Sequence, residues 1–414
     1  MSLSVRTPWP RNFAPVNNSV PRLLGINIPS LELITAHPAT TPSDVQSDGH
    51  WPRPKFPKDT VGFHTELKKR VAAYFTETKL AERDAWQMYL KSAIIMVWLV
   101  ASYIGLVFYS EHWFQALPAA FSLAFAMAAV GMAIQHDGGH HGYSRRNWIN
   151  RIAGGTMDMI GASSYLWHRK HAVFHHTYVN ILDQDTDIDA GPVGRFSPHQ
   201  PRYKIHRFQH FYLWFLYGAM AIRWNLLSDY MEVAKGKIGK HRIARPKGWD
   251  LVQFVAGKIF STSFIIAVPL YYHWDQWYWM VAYYGLVMWL LGFVLAIVFQ
   301  LAHVVEEAGF PSTVGEPATV ESTWAVHQVE TTVDFARTSP TLTWMLGGLN
   351  FQIVHHLFPR ISHIHYPALA RIIEKTCNEY GIKYNEHPTF WAGLVSHYRW
   401  LRTMGRYDTI PAKA

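Results

Sequence analysis

Four long apolar stretches dominate the pattern of the chain, at residues 91–109, 113–135, 252–272 and 277–302. A helix needs roughly 20 apolar residues to cross a bilayer, and each stretch approaches or exceeds that length. The connections between the first and second stretches and between the third and fourth are only a few residues long, which predicts two helical hairpins. Lys258 lies near the start of the third stretch, so its charged side chain must snorkel to the membrane surface or face the protein interior. The alternative interpretation is that the four stretches are buried helices of a large soluble enzyme.

The remaining segments have weaker patterns. Residues 157–167 and 211–227 are apolar but short or interrupted by Arg223, which favours interfacial helices or the core of a cap. Residues 63–86 have the spacing of an amphipathic helix leading into the main domain. Residues 1–60 are rich in Pro, Ser, Thr and Asn without periodicity, which predicts a disordered N-terminal tail before a single domain at 61–414. The first residues show no pattern of a cleavable signal peptide.

The distribution of Lys and Arg predicts how these spans are oriented in the membrane. The two short connections contain no Lys or Arg, whereas the long segment between the second and third spans is rich in both. Because positive residues concentrate on the cytosolic side of membrane proteins, both hairpins point away from the cytosol. The termini and the long segment are therefore predicted to be cytosolic, in a bacterial inner membrane or the endoplasmic reticulum.

Composition narrows the class of protein. The chain has 18 Trp, 21 Tyr and a net charge of +9, and aromatic side chains of this kind suit membrane interfaces. Its basic residues lie beside apolar spans rather than on a nucleic-acid module, so we expect anionic lipid or an acidic protein as partner and no nucleic acid. Cys377 is the single cysteine, which excludes an intramolecular disulfide framework and cysteine-based metal clusters.

Histidines cluster where the spans meet the cytosol. His136 and His140 are four residues apart and share a helix face, as do His171 and His175, while His176 is turned about a hundred degrees further round. Three more follow the fourth span, and the full candidate ligand set is His136, His140, His171, His175, His176, His303, His355 and His356. Eight imidazoles are twice what one tetrahedral zinc uses, which indicates two ions. Zinc, copper and iron all remain possible.

Several neighbours of these histidines are candidates for supporting roles. Asp137 is expected to orient a ligand imidazole, and His168 and Gln352 are candidates for contact with the ligands. Histidines expected outside the metal set are His141 and His327, at the surface or behind a ligand, and His363 and His365, as structural residues. Residues 183–189, "DQDTDID", lack the Gly and the final acid of a calcium loop and favour a solvated acidic turn. Asn350 is expected to cap the helix that carries the last pair.

Three motifs together resemble the histidine boxes of the membrane fatty acid desaturase family: "HDGGH" (136–140), "HAVFHH" (171–176) and "QIVHH" (352–356). A Gln opening the third box is similar to the front-end, linoleoyl-CoA-type members. The resemblance implies an all-α integral membrane protein with four transmembrane helices in two hairpins and a cytosolic helical cap. It also implies a di-iron centre held by the eight histidines, which uses O2 and two electrons to form a double bond in an acyl chain.

The resemblance also implies the partners. The substrate would be an acyl-CoA, an acyl-lipid or a carrier-bound acyl chain. An isolated His-Pro at 37–38 is too little sequence for a haem domain, so electrons would come from a separate donor such as ferredoxin or cytochrome b5 with its reductase. Asp334 stands where relatives often have Asn, and His168 where Arg is common.

Two other functions remain open at this point. An acyl hydroxylase or acetylenase would use the same centre on the same scaffold. A membrane metal transporter or sensor would use the same histidines, but it should carry polar or ionisable residues along its spans, where few are found.

Overall fold

The computed structural model describes residues 53–315 and 318–408, and nearly all of its regular structure is helical. Its α-helices in chain order are α1 (Phe63–Thr78), α2 (Trp86–Phe108), α3 (Trp113–Ala129), α4 (His136–Gly139), α5 (Asn147–Met159), α6 (Ser164–Trp167), α7 (His176–Tyr178), α8 (Gln209–Tyr217), α9 (Ala219–Arg223), α10 (Asp229–Lys235), α11 (Trp249–Thr262), α12 (Val268–Tyr272), α13 (Trp277–His303), α14 (Trp324–Glu330), α15 (Pro340–Met345), α16 (Gln352–Leu357), α17 (Tyr366–Glu379) and α18 (Phe390–Arg406).

Other local elements connect or interrupt these helices. π-Helical turns, in which the backbone bonds five residues on, occupy Val130–Gln135, His168–His175, Trp224–Ser228 and Ser263–Ala267. Short 3₁₀ turns lie at Thr186–Ile188, Gly191–Val193, Lys204–Phe208, Trp274–Gln276 and His363–His365. The strands form two-residue pairs: β1 (Lys237–Ile238) with β2 (His241–Arg242), β3 (Thr313–Val314) with β4 (Thr319–Val320), both antiparallel, and β5 (Asp334–Phe335) with β6 (Glu386–His387), parallel.

Four helices are long and apolar enough to cross a membrane, and they agree with the predicted spans. Span 1 is Trp86–Phe108, span 2 Trp113–Gly139, span 3 Trp249–Tyr272 and span 4 Trp274–His303. Spans 1 and 2 form one hairpin and spans 3 and 4 the other, and span 4 also packs on span 2. The two predicted hairpins are confirmed.

Lys258 of span 3 faces the protein interior. Its Nζ lies 2.8 Å from Asp229 Oδ2 and also donates to the carbonyl oxygens of Gly161 and Trp224. A charge within the membrane is costly unless it is paired, and this contact ties span 3 to α10 in the long segment between spans 2 and 3.

The two segments predicted as interfacial helices or cap core form shorter helices outside the four spans. Residues 157–167 fall in α5 and α6, and residues 211–227 fall in α8, α9 and the π-helical turn that follows. The junction of α8 and α9 lies close against span 4, because a Cβ on Gly218 would come within 2.1 Å of Trp289 Nε1. Only glycine fits at that position.

The N-terminal region differs in part from the prediction. Residues 1–52 of the expected tail lie outside the described residues, whereas 53–60 pack on the body: Lys55 pairs with Thr319, and Phe56 stacks on Tyr178 at 5.9 Å. The amphipathic helix buries Phe63, Leu67, Val71 and Phe75, but it ends at Thr78 rather than running to 86. Lys79 adopts a left-handed conformation, with φ 55°, and terminates it.

Candidate metal centre

The eight candidate histidines come from four separate segments that meet at one end of the spans. His136 and His140 close span 2, His303 closes span 4, His171, His175 and His176 lie on the π-helical segment and the start of α7, and His355 and His356 lie on α16. Each of these residues is at most 9% exposed. Buried imidazoles in this number need polar partners, because each ring carries two nitrogen atoms that water no longer reaches.

The ring nitrogens form two groups with a link between them. His136, His140, His171 and His355 make the first group, and His175, His303 and His356 make the second. His176 lies with His355 and His356 between them. Within each group the closest nitrogens are within 4.8 Å of one another. The arrangement therefore offers two adjacent sites, each with several nitrogen ligands.

The second histidine cluster is not the α-helix that its spacing predicted. His168–His175 is π-helical, so residues five apart come together: the Nε2 atoms of His171 and His176 are 3.3 Å apart. His171 also approaches His136, with 3.1 Å between their Nε2 atoms, whereas His175 joins His303 and His356. The expectation that His176 is turned about a hundred degrees beyond the shared face of His171 and His175 was wrong, because it assumed 3.6 residues per turn.

The distances between nitrogens fit a metal. His355 Nε2 is 2.9 Å from His176 Nε2, and His356 Nε2 is 3.2 Å from His303 Nε2. Two nitrogens that each bind one ion at about 2.0–2.1 Å are separated by roughly 2.9–3.4 Å for angles between square and tetrahedral. Among the described residues, His140 Nε2 and His175 Nε2 have no hydrogen-bond partner, as expected of ligand atoms.

The hydrogen bonds on the far side of the rings strengthen this interpretation. His303 Nδ1 lies 3.3 Å from the Thr331 carbonyl, which can only accept, so His303 carries its hydrogen on Nδ1 and a lone pair on Nε2. His356 Nδ1 likewise donates to Gln328 Oε1 at 3.0 Å. The facing Nε2 atoms of His303 and His356 are then both acceptors, and two lone pairs at this distance repel unless a cation lies between them.

Burial keeps five of these imidazoles neutral. Desolvation lowers the pKa of His175 to about 3, and it lowers the pKa of His140, His176, His355 and His356 well below the ordinary value, with neighbouring histidines adding to the shift. A neutral imidazole is the form that binds a metal. These five rings are thus in the binding state throughout the physiological range of pH.

Two residues that the sequence did not single out as partners hold ligand rings in place. Asp185 Oδ2 accepts from His175 Nδ1 at 3.0 Å, and Gln328 holds His356. The solvated turn expected at 183–189 was wrong, because Asp185 is only 1% exposed. A carboxylate ten residues after a histidine cluster was the available signal, whereas nothing in the sequence around Gln328 indicates its contact.

The three candidate supporting residues have different positions. Asp137 contacts a histidine outside the ligand groups: its Oδ2 accepts from His363 Nδ1 at 3.0 Å, and His363 Nε2 meets Lys91 Nζ at 2.9 Å. The expectation that Asp137 orients a ligand was wrong in this respect. His168 is exposed and lies outside both groups, and Gln352 is buried at the start of α16, one turn before His355.

The expectations for the other histidines are confirmed in part. His141 is exposed, and His363 and His365 are buried in structural contacts, as expected. His327 is fully buried rather than at the surface, and it packs on Phe56.

Asn350 does not cap α16. Its amide donates to the Ala336 carbonyl and to Thr343 Oγ1, and Asp334 instead accepts the backbone N–H of Ile353 at 2.9 Å. The first turn of α16 is thus held by an acid from a distant segment. Tyr384 donates to the second oxygen of this carboxyl group.

Comparison with known proteins agrees with this geometry. A family model described as fatty acid desaturase matches residues 111–388, which include all eight histidines. The chain belongs to the fatty acid desaturase family. The sn-1 linoleoyl-lipid 6-desaturase of Arthrospira platensis is 39% identical over 347 residues, which are 83% of this chain and 93% of that protein. The enzyme of the same name from Synechocystis sp. is 38% identical over 345 residues, 83% of this chain and 96% of the relative.

A third relative widens the comparison beyond these two. The acyl-lipid (8-3)-desaturase of Physcomitrium patens is 36% identical over 345 residues, which are 83% of this chain and 72% of that protein. The desaturase described here belongs to the front-end group of the family. It is an enzyme and an integral membrane protein, and its buried histidine clusters are consistent with the metal site typical of fatty acid desaturases.

Proposed function

We propose that this desaturase is a front-end acyl-lipid desaturase that uses O2 and electrons from a separate carrier. The convergence of buried ring nitrogens on two adjacent points is the observation that carries the proposal. The names of the relatives support an acyl-lipid substrate over an acyl-CoA, since each of the three acts on a lipid-linked chain by its name.

We assign the two ions as iron. The ligands are His136, His140, His171, His175, His176, His303, His355 and His356. Two irons bound there would supply the activation of O2 that removal of hydrogen from an inert methylene requires. Each turnover takes two hydrogens from adjacent carbons of the chain, together with two electrons and two protons from outside, and reduces one O2 to two waters.

The surrounding residues keep the centre fixed and dry. Asp185 and Gln328 hold the rings of His175 and His356 with Nε2 turned toward their group. Such contacts fix ring orientation and raise ligand basicity. All eight rings are shielded from water, which protects a strong oxidant from side reactions.

The position of the histidines supports an approach from the bilayer. His136 and His303 end spans 2 and 4, so the centre lies where the apolar helices reach the membrane surface. An acyl chain can therefore lie against the spans while its polar head group stays in the interface. Since neither hairpin connection carries Lys or Arg, we assign this surface to the cytosol, where ferredoxin or cytochrome b5 with its reductase would supply electrons.

Expression with a reductase and a carrier, followed by mass spectrometry of all acyl lipids, tests this function. We expect a product lighter than its substrate by two hydrogens, with the new double bond between an existing one and the carboxyl end. Purified enzyme should contain about two irons per chain. His175→Ala should abolish the product, whereas His199→Ala, a change at an exposed histidine, should leave it intact.

Other outcomes would contradict the proposal. A product heavier by one oxygen would mean hydroxylation, and a triple bond would mean acetylenation. Iron-free protein with metal-dependent transport would mean a transporter. Two charged residues of the spans argue against a transport path, because Lys91 bonds His363 and Lys258 pairs with Asp229 inside the protein.

A further inference from the structure

The indole ring of Trp167 lies against the first histidine group. Its centroid is 4.8 Å from the ring of His171, 5.2 Å from His140 and 5.7 Å from His136. It fits there because Gly139 has no side chain: a Cβ at that position would lie 2.2 Å from Trp167 Cζ3. Trp167 is also partly exposed. One aromatic ring thus connects the surface to three candidate ligands.

The surface around Trp167 is basic. We call it the basic rim, and it consists of Arg83, His141, Arg145, His168, Arg169 and Arg360. Arg83 donates to the carbonyl of His141 at 3.3 Å, and the charges of Arg83 and Arg360 both act on the ring of His141. His168 follows Trp167 directly in the chain and feels the charges of Arg169 and His141. Arg145 is connected to this group through its backbone N–H, which donates to Asp84, the neighbour of Arg83 in the chain.

Three acids lie near the rim and are outnumbered by arginines. Asp250 acts on His168 but also pairs with Arg151 at 3.7 Å, and Glu82 precedes Arg83 in the chain. Asp84 is occupied by protein contacts, since it accepts the hydroxyl of Ser144 and the backbone N–H of Arg145. The rim therefore presents a positive potential directly over the short path from solvent to the histidines. Such a potential speeds and orients association with an oppositely charged protein, while the small interfaces of electron-transfer complexes allow rapid release.

We propose that the basic rim docks an acidic one-electron carrier protein, with Trp167 as the aromatic contact through which electrons reach the histidine centre. The inference rests on the proposed function. Two carriers dock in turn, each is oxidised by one electron, and these two electrons join two protons and the two hydrogens of the acyl chain in reducing O2 to two waters. Electron transfer slows steeply with distance, which favours this surface over basic residues elsewhere on the cap.

Docking is tested by reversing charge on the rim. The Arg83→Glu, Arg360→Glu double variant is placed in nanodiscs of neutral phosphatidylcholine, and the Kd for a plant-type ferredoxin and for cytochrome b5 is measured at low salt. We expect the Kd of the carrier the enzyme uses to rise about tenfold or more. The KM for that carrier should rise in parallel, with kcat at saturating carrier unchanged.

A matched control and a second lipid separate the alternatives. Arg371→Glu, Lys375→Glu makes the same charge change at exposed positions of α17 and should leave the Kd as in the parent enzyme. Unchanged binding of both carriers by the rim variant would overturn the proposal. So would an effect seen only in nanodiscs with phosphatidylglycerol, which would assign the rim to anionic lipid head groups.

The role of Trp167 needs its own measurement. Trp167→Leu should slow oxidation of the reduced carrier after rapid mixing by about tenfold, with carrier Kd and metal content unchanged, and Trp167→Phe should restore part of the rate. Loss of metal in Trp167→Leu, or an unchanged rate, would contradict the role.

Failure of docking is distinguishable from failure of the enzymatic assignment. Dithionite is a small reductant that needs no protein interface, so rim variants should still form product with it. Normal product formation with dithionite beside weakened carrier binding supports the proposal. Absence of product from the parent enzyme with every reductant would contradict the proposed function, while the Kd comparison would still decide whether the rim binds a carrier.

Discussion

At the scale of single residues, the centre depends on groups that hold the rings from behind. Asp185 is the most direct example, because it accepts from His175 Nδ1 and also from the backbone N–H groups of Asn180 and Asp187. One carboxylate thus fixes both a ring and the turn that carries it. Its removal should be felt at the metal even though it is not a ligand.

Asp185→Asn should lower metal affinity by about 10–100-fold, because an amide is a weaker acceptor for the His175 ring than a carboxylate. Metal content after dialysis against a graded chelator series measures the effect. Asp183→Asn is the matched control: Asp183 lies in the same turn with φ 67°, a conformation that Asn adopts readily. Equal metal retention in both variants would show that Asp185 has no part in holding the centre.

At the scale of elements, the sequence indicated which helices exist more reliably than how the histidines pair. Apolar length alone predicted the four spans, since it depends on composition within one segment. The pairing of His171 with His176 depends on a π-helical turn, and the contact of Gln328 with His356 joins segments 28 residues apart. Neither leaves a local pattern, because both are decided by tertiary packing.

The contact of α4 with Trp167 can be tested by adding one carbon. Gly139→Ala places a Cβ about where the indole ring now lies, so the ring or the backbone between His136 and His140 must move. Overpacking of this kind costs about 1–3 kcal/mol, and bound metal should fall with it. Thermal unfolding and metal analysis check both effects. Gly105→Ala, in span 1, meets nothing within 4 Å and should behave like the parent enzyme.

The acid that holds α16 should make stability depend on pH. Burial raises the pKa of Asp334 to about 7 from 3.8, against opposing hydrogen bonds from Tyr384 and the Ile353 N–H. Between pH 3.8 and about 7, Asp334 is ionised in the unfolded chain but still protonated in the folded chain. The free energy of unfolding therefore falls as the pH rises through this window, and above about pH 7 it falls no further on account of Asp334.

Asp334→Asn should remove this dependence, because Asn still accepts the Ile353 N–H and cannot ionise. Apparent Tm at about pH 5 and pH 8 measures it, and the stability lost by the parent enzyme should exceed roughly 1 kcal/mol. Equal pH slopes in the parent enzyme and in Asp334→Asn would mean that this carboxyl group does not titrate in the window.

At the scale of the whole molecule, spans 2 and 4 end at the histidine centre, so membrane orientation decides which compartment supplies the electrons. Cys377 makes this measurable, because it is fully buried and burial raises the pKa of its thiol to about 12, which leaves it unreactive. A single introduced cysteine therefore gives the only expected reaction with a maleimide among the described residues.

Glu111→Cys in the first hairpin should react with a membrane-impermeant maleimide added outside intact cells or spheroplasts. Lys235→Cys in the segment between spans 2 and 3 should react only after permeabilisation. Both positions are exposed, so a cysteine that does not react is protected by the membrane and not by burial in the protein. The opposite pattern would place the histidines on the outer side and exclude cytosolic carriers.

The π-helical turn at His168–His175 also limits which mutations this segment can accept. Because this turn holds more residues than an α-helical one, losing one residue would let it relax to ordinary α-helix and rotate His175 and His176 away from their groups. Substitutions at Ala172 or Val173 leave the register intact. Insertions and deletions between His168 and His176 should therefore be far rarer among functional homologues than point changes there.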